Sequence, residues 1–150
     1  MTPYDAIKAR ISDTVPYAAL TGIRLESIGD GCGEALLPTQ EATTNHIGSQ
    51  HAGALFTLGE SASGAAMAGG FLPVLLSVRP VAANAEIQYK SIARGAIRAS
   101  ASVSRPSQIL IDELEAEGAV RFRVDVTMRD QSESEVATMQ VDWHLSKVNK

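Results

Sequence analysis

The candidate catalytic residues of this sequence lie within one segment, Thr44–Gly70. A polar loop containing Asn45 and His51 leads directly into a long stretch of small and apolar residues, in which Glu60 is the only acid. A carboxylate is costly to bury without compensation. A single acid in an otherwise uncharged helix therefore needs an explanation, and the chemical one is a general base or a nucleophile.

Structural explanations compete with this one. Glu60 could form an ion pair with Arg79 or with a histidine, because buried acids are often members of structural ion pairs. His51 could cap the helix and fix the loop by hydrogen bonding. The three histidines of the chain lack the spacing of a metal-binding pair, so we predict no metal site.

Length and composition indicate one domain over residues 1–150. The net charge of −4 provides no basic surface for a nucleic-acid backbone, so we predict no nucleic-acid partner. No apolar run approaches the ~18 residues of a membrane span, and the amphipathic N-terminus does not resemble a signal sequence. The single cysteine excludes an internal disulfide. We therefore expect a cytoplasmic protein without a membrane partner.

The segment after the polar loop predicts a long central helix. It begins near His51–Ala52 and ends at Gly69–Gly70, where glycine is a typical C-terminal stop. A helix without a charged face is usually surrounded by protein on most sides. Its internal Gly59 and Gly64 indicate that another backbone or a ligand comes close.

The remaining patterns predict a sheet that covers this helix. An amphipathic helix over Pro3–Asp13 precedes a hairpin that turns at Gly29–Gly31, and a short helix is opened by Ser107 and closed by Gly118. Four segments alternate apolar and polar residues, within 85–90, 97–104, 120–129 and 137–145. Alternation of this kind is typical of an antiparallel sheet with one buried face. The sequence thus predicts an α+β fold, a curved antiparallel sheet wrapped around a long central helix.

With this element order, the central segment resembles the hotdog-fold acyl-CoA thioesterases. The resemblance rests on Asn45, Gly48, His51–Ala54 and Glu60, which keep the pattern N-x5-H-[GA]-G-A-x5-[DE]. It is closest to the phenylacetate-pathway and 4-hydroxybenzoyl-CoA thioesterase group and to a related family of unassigned function. The segment Tyr89–Gly95 resembles the strand end and turn that lie along the CoA arm in that superfamily.

The resemblance implies hydrolysis of an acyl-CoA to a free acid and CoA, with no cofactor beyond the CoA of the substrate. Glu60 would be the base or nucleophile, and Asn45 would orient a water molecule. The N–H groups of Ala52 and Gly53 would stabilise the oxyanion, since the first amides of a helix lack partners within it. His51 would polarise or position the thioester.

The substrate contacts depart from the family pattern at one position. Gly64 stands where a serine or threonine often follows the acid, so a polar contact to substrate or water is either missing or supplied by Ser61 or Ser63. Gly48 and Gly64 would line the substrate path. Lys90 and Arg94 would contact the CoA phosphates.

Helix geometry adds a constraint on oligomeric state. Ala52 and Glu60 are eight residues apart, which is about 12 Å along a helix axis. One carbonyl group cannot contact both groups of one helix, so we expect a site shared between two subunits, in a homodimer or a dimer of dimers. Two alternatives stay open: a non-catalytic acyl-CoA binding or sensing protein, and, less in keeping with the motif, a hotdog dehydratase or hydratase.

Overall fold

A computed structural model describes residues 1–149 and contains helices and strands in the predicted order. The helices are α1 (Pro3–Thr14), α2 (Pro16–Leu20), α3 (Ala52–Gly70) and α4 (Ser107–Glu117). The strands are β1 (Arg24–Gly29), β2 (Cys32–Leu37), β3 (Val78–Tyr89), β4 (Ile97–Val103), β5 (Ala119–Arg129) and β6 (Glu135–Lys147). Two 3-10 segments lie over Glu41–Thr43 and Leu72–Ser77.

The six strands form one sheet in the order β1-β2-β4-β5-β6-β3, and every neighbouring pair is antiparallel. The regular alternation predicted for β5 is present, with Val120, Phe122, Val124, Val126 and Met128 all buried. These side chains form one core with the buried residues of α3. The predicted architecture, a curved sheet wrapped around a central helix, is confirmed.

The central helix α3 leaves only one stripe of its surface uncovered by the sheet. Gly53, Phe56, Glu60 and Gly64 lie on this stripe, since their spacings of three and four residues place them on one face. None of the four is buried, whereas Leu55, Leu58 and most other apolar residues of the helix are.

The glycines of α3 differ in what approaches them. A Cβ atom on Gly59 would lie 2.5 Å from Met139 Sδ, so a side chain of the sheet comes close there, rather than the predicted backbone or ligand. A Cβ atom on Gly64 would lie 3.7 Å from the Trp143 ring, an ordinary contact. Gly64 is therefore not required for packing between α3 and the sheet.

The N-terminal region differs from prediction after residue 13. The helix predicted over Pro3–Asp13 extends to Thr14, and Pro16 begins a second helix, α2, that was not predicted. Proline is favourable at the first position of a helix, so Pro16 both ends α1 and starts α2. Neither helix contains a buried residue.

Strand β3 begins at Val78, seven residues before the alternation that predicted it. It lies at one edge of the sheet and pairs only with β6, with a register shift between Ala82 and Asn84. An edge strand tolerates Pro80 and does not need strict alternation, which explains the shorter predicted length. The short helix α4 ends as predicted, with Gly118 in the left-handed conformation at φ 80°.

Candidate active site

The loop before α3 is a tight turn organised by Asn45. The Asn45 Oδ1 atom accepts hydrogen bonds from Ile47 N and from Ser49 N, each at 3.1 Å. Its Nδ2 donates to Ser49 Oγ at 2.8 Å, and Gly48 adopts φ 75° within the turn. Most of the hydrogen-bonding capacity of Asn45 is thus used inside the turn, which leaves one N–H of its amide to orient a water molecule.

Buried Gln50 anchors this loop to two other parts of the chain. Its Nε2 donates to Pro38 O at 3.1 Å and to Gly95 O at 2.8 Å, while its Oε1 accepts from Thr43 Oγ1 at 2.8 Å. The sequence pattern gave no sign of this role, since the partners are as far as 45 residues away. Gln50 thereby fixes the loop against the turn that carries Arg94.

The first turn of α3 presents two kinds of hydrogen-bond donor. His51 is the N-cap residue, and its Nδ1 accepts from Gly53 N at 2.8 Å, so the expected capping role of His51 is present. Because Nδ1 accepts, the neutral imidazole has its proton on Nε2. Within residues 1–149 no backbone acceptor is found for Ala52 N or Ala54 N. The N–H of Gly53 is occupied, whereas that of Ala52 is free.

Tyr89, at the end of β3, also contacts the first turn of α3. Its hydroxyl donates to Ala52 O at 3.0 Å. Partial burial raises the pKa of the Tyr89 hydroxyl, which keeps it in the donating form. The edge strand and the start of α3 are therefore joined directly. The motif had placed Tyr89 only near the CoA arm.

Glu60 lies about 12 Å along the helix from this first turn. Its side chain is partly buried, and burial raises the pKa of its carboxyl group. Across the described part of the chain, its carboxylate forms no ion pair, and Arg79 is exposed on β3. The ion-pair explanation for Glu60 therefore has no support in the structure.

Glu60 borders a cavity of about 400 Å³ between α3 and the N-terminal helices. Most of the lining is apolar, with Ile11, Ile23, Leu25, Met67, Leu75 and Trp143 among its residues. Ser61 and Gly64 lie beside Glu60 in the same wall. The cavity brings a carboxylate of raised pKa next to a surface suited to an apolar ligand.

Ser63 does not fit the predicted contact with substrate. Its side chain is fully buried, accepts from Trp143 Nε1 at 3.2 Å and donates to Glu60 O at 2.7 Å. The hydroxyl thus ties the indole to the backbone of α3, and Ser63 is not among the residues that line the cavity. Ser61 lines the cavity, with its hydroxyl donating to Thr57 O at 2.7 Å.

The two cations predicted for the CoA phosphates have different surroundings. The Lys90 Nζ atom lies 2.6 Å from Glu135 Oε1. Arg94 is exposed in the turn held by Gln50, and among residues 1–149 no acid pairs with it. Arg94 is the more available of the two.

The predicted site residues therefore fall into two groups. The turn of Asn45 and Gly48 leads into the first turn of α3, where His51, Ala52 and Gly53 lie. Glu60 and Gly64 lie by the cavity further along the uncovered stripe.

No three His, Cys, Asp or Glu side chains of the described residues are grouped so that they could hold a metal ion. No helix in the described region has the length and apolarity needed to cross a membrane.

Residues 4–145 match the model of a family described as "Domain of unknown function (DUF4442)". The chain belongs to this family. No curated protein matches the sequence. The family assignment agrees with the resemblance to a hotdog family of unassigned function.

Solved structures similar to this DUF4442 chain share its fold. A probable thioesterase of unknown function from Pseudomonas aeruginosa is 23% identical with a TM-score of 0.78, over 96% of this chain and 95% of that one. The PaaI protein of the E. coli phenylacetic acid degradation operon is 17% identical with a TM-score of 0.72, over 94% and 90% of the chains. A Chlorobaculum tepidum protein of unknown function is 16% identical with a TM-score of 0.84, over 96% and 94%. The predicted hotdog fold is confirmed.

Proposed function

We propose that this protein hydrolyses an acyl-CoA thioester to a free acid and CoA, with Glu60 as general base or nucleophile. The observation on which this depends is the state of Glu60. Its carboxylate lies on the uncovered stripe of α3, next to an apolar cavity, without an ion-pair partner in the described chain. Structurally similar proteins described as thioesterases add support for this reaction class.

The raised pKa of Glu60 suits either role. A general base works best when its pKa lies close to the working pH, and burial moves the pKa of Glu60 in that direction. As a base, Glu60 takes a proton from water while the oxygen attacks the thioester carbonyl. The C–S bond then breaks, and the proton passes to the leaving thiolate of CoA. As a nucleophile, the Glu60 carboxylate would attack the carbonyl, the C–S bond would break and the CoA thiolate would leave. Water would then hydrolyse the resulting anhydride, which releases the acid and restores Glu60.

The developing oxyanion needs donors that Glu60 cannot provide. Ala52 N–H and His51 Nε2–H are free to donate at the start of α3. They lie about 12 Å from the Glu60 of the same helix, too far to act on one carbonyl. A second copy, with its α3 antiparallel to the first, would bring the donors of one chain to the Glu60 of the other. We therefore propose a site shared between two subunits.

The edge strand β3 is the surface through which two copies would associate. It pairs only with β6, and an unpaired edge is a template for another strand. Apolar residues are exposed on this side of the chain: Phe56, Leu76, Val81 and Tyr89. A homodimer joined at β3 would cover them, and a dimer of dimers would use a further surface.

The phosphates of CoA would be bound at the turn after β3. Arg94 is exposed and unpaired within residues 1–149, and a guanidinium group binds phosphate with two parallel hydrogen bonds. Lys90 already pairs with Glu135, so its contribution would be smaller.

The test is to follow free thiol with a panel of short, medium and aromatic acyl-CoAs. We expect turnover by the wild-type protein, and a loss of at least ~100-fold in kcat for Glu60→Ala and Glu60→Gln. The exposed Glu41→Gln variant is the control for removing one carboxylate. Equal rates for the wild type and Glu60→Gln would contradict the proposal. Binding of acyl-CoA without turnover would instead indicate the non-catalytic alternative, which Gly64 in place of a hydroxyl residue favours.

A further inference from the structure

An apolar cavity, partly open to solvent, lies within one chain between α3 and the two N-terminal helices. Residues of α1 and α2, including Ile11 and Ala18, face Met67 and Trp143 across it. At about 400 Å³ it lies in the range of ~300–1,000 Å³ typical of small-molecule sites. Glu60 lies in the same wall.

We propose that this cavity holds the acyl group and makes the protein selective for apolar acyl chains of medium length. The inference rests on the proposed function, because it takes Glu60 as the group that meets the thioester carbonyl. The carbonyl must then lie at the mouth of the cavity. Of the two substituents on that carbonyl, only the acyl group suits an apolar enclosure.

The charges around the cavity support this orientation. The lining contains one cation, Arg10, and one acid, Glu60. Arg10 is exposed, and an exposed arginine keeps its charged end in water while its stem covers apolar surface. A single cation at the rim cannot neutralise the phosphates of CoA, and the carboxylate would repel them. The CoA arm therefore leaves the cavity toward solvent.

Helices α1 and α2 determine how long an acyl chain the cavity accepts. Each methylene transferred from water to an apolar site improves binding by roughly fourfold. The kcat/KM for acyl-CoAs should therefore rise steeply with the length of the acyl chain, and it should stop rising at the length at which the chain reaches α2. Because α1 and α2 have no buried residue, a larger side chain placed on their inner face can be accommodated without disrupting the core.

Two matched variants test the assignment in the full-length protein. Ala18→Phe adds bulk to the cavity lining, whereas Ala9→Phe makes the same change on an exposed residue of α1 outside the lining. The measurement is kcat/KM for unbranched acyl-CoAs from acetyl to hexadecanoyl. We expect the octanoyl-to-acetyl ratio to fall at least tenfold in Ala18→Phe and to stay at the wild-type value in Ala9→Phe.

A second measurement does not depend on turnover or on the folding of Ala18→Phe. Trp143 is the single tryptophan of the chain and lines the cavity, so its fluorescence reports on occupancy. In Glu60→Gln, octanoyl-CoA should shift the emission of Trp143, and free CoA should not.

The outcomes separate the two proposals. A Trp143 response in Glu60→Gln, together with no thiol release by the wild-type protein, would overturn the hydrolase while the acyl site stands. Hydrolysis with the same octanoyl-to-acetyl ratio in all variants, or with no response of Trp143, would overturn the acyl site while the hydrolase stands. A preference for succinyl-CoA over butanoyl-CoA would also overturn the assignment to apolar acyl groups.

Discussion

His51 and Gly53 are joined by a hydrogen bond of 2.8 Å from the Gly53 N–H to Nδ1 of the imidazole. The bond occupies one of the two amides that the resemblance assigned to the oxyanion. It also fixes the imidazole with its remaining proton on Nε2, on an exposed side chain. Within residues 1–149, the donors left free at the start of α3 are therefore Ala52 N–H, His51 Nε2–H and the buried Ala54 N–H.

Removing the Ala52 donor should lower the rate without unfolding the helix. Ala52 is the first residue of α3, where proline is favourable, and the extended His51 backbone (φ −64°, ψ 142°) is compatible with a following proline. Ala52→Pro thus deletes one N–H group. We expect kcat to fall about 100-fold, as for loss of an oxyanion donor, with the free energy of unfolding within about 0.5 kcal/mol of wild type.

Ala52→Ser is the matched control, because it retains the backbone N–H. Its kcat should stay within a few-fold of the wild-type value. Stopped-flow thiol detection and urea unfolding measure the two effects. Equal kcat for the proline and serine variants would remove Ala52 from the oxyanion site.

The stability of the protein should depend on pH through Glu60. Burial raises the pKa of Glu60 in the folded state, so the folded chain holds this proton more tightly than the unfolded chain does. The contribution of Glu60 to stability therefore falls as pH rises from the ordinary glutamate pKa to the raised one. Each unit of elevation corresponds to about 1.4 kcal/mol in the free energy of unfolding.

Glu60→Gln removes this dependence. Relative to wild type, the variant should gain stability as pH rises through that window and show no further gain above it. Urea unfolding between acid and neutral pH checks the difference, with exposed Glu41→Gln as the control for charge. A difference between Glu60→Gln and wild type that is constant with pH would contradict the assigned burial of the charge.

The two cations near the turn after β3 should differ in their effect on KM. Arg94→Ala should raise KM for acyl-CoA by roughly tenfold with little change in kcat, as expected when a contact to a remote part of the substrate is lost. Lys90→Ala should raise KM less, because Lys90 is held 2.6 Å from Glu135. Steady-state kinetics with one acyl-CoA measures both. An unchanged KM in Arg94→Ala would discard the phosphate assignment.

The sequence predicts those parts of the structure that depend on local patterns. The alternation of β5 and the left-handed Gly118 that ends α4 follow from period and backbone conformation alone. Helix α3 does end at Gly70, but its C-cap is Phe71 and not a left-handed glycine. The second helix, α2, is not predicted because a proline after a helical pattern indicates the end of that helix, and Pro16 also begins the next one. Edge strand β3 was predicted too short because exposed residues need not alternate.

The sequence indicates which residues to consider for the candidate site, but it does not indicate which contacts these residues make. The sequence shows that Glu60 is the only acid in an apolar helix. Among residues 1–149, its carboxylate forms no ion pair. The roles of Gln50 and Tyr89 depend on partners 45 and 37 residues away, which no local pattern records. Ser63 was predicted to contact substrate, but its side chain is fully buried and its hydroxyl accepts a hydrogen bond from Trp143 Nε1 across the core.

Complementation between two inactive variants shows whether one chain provides Glu60 and the other the amide of Ala52. Ala52→Pro and Glu60→Gln are coexpressed with different tags, and the mixed dimer is isolated by two successive affinity steps. Each homodimer should be nearly inactive. In the mixed dimer one of the two shared sites is intact, so the account predicts about half of the wild-type kcat per dimer. A mixed dimer as inactive as its parents would contradict it.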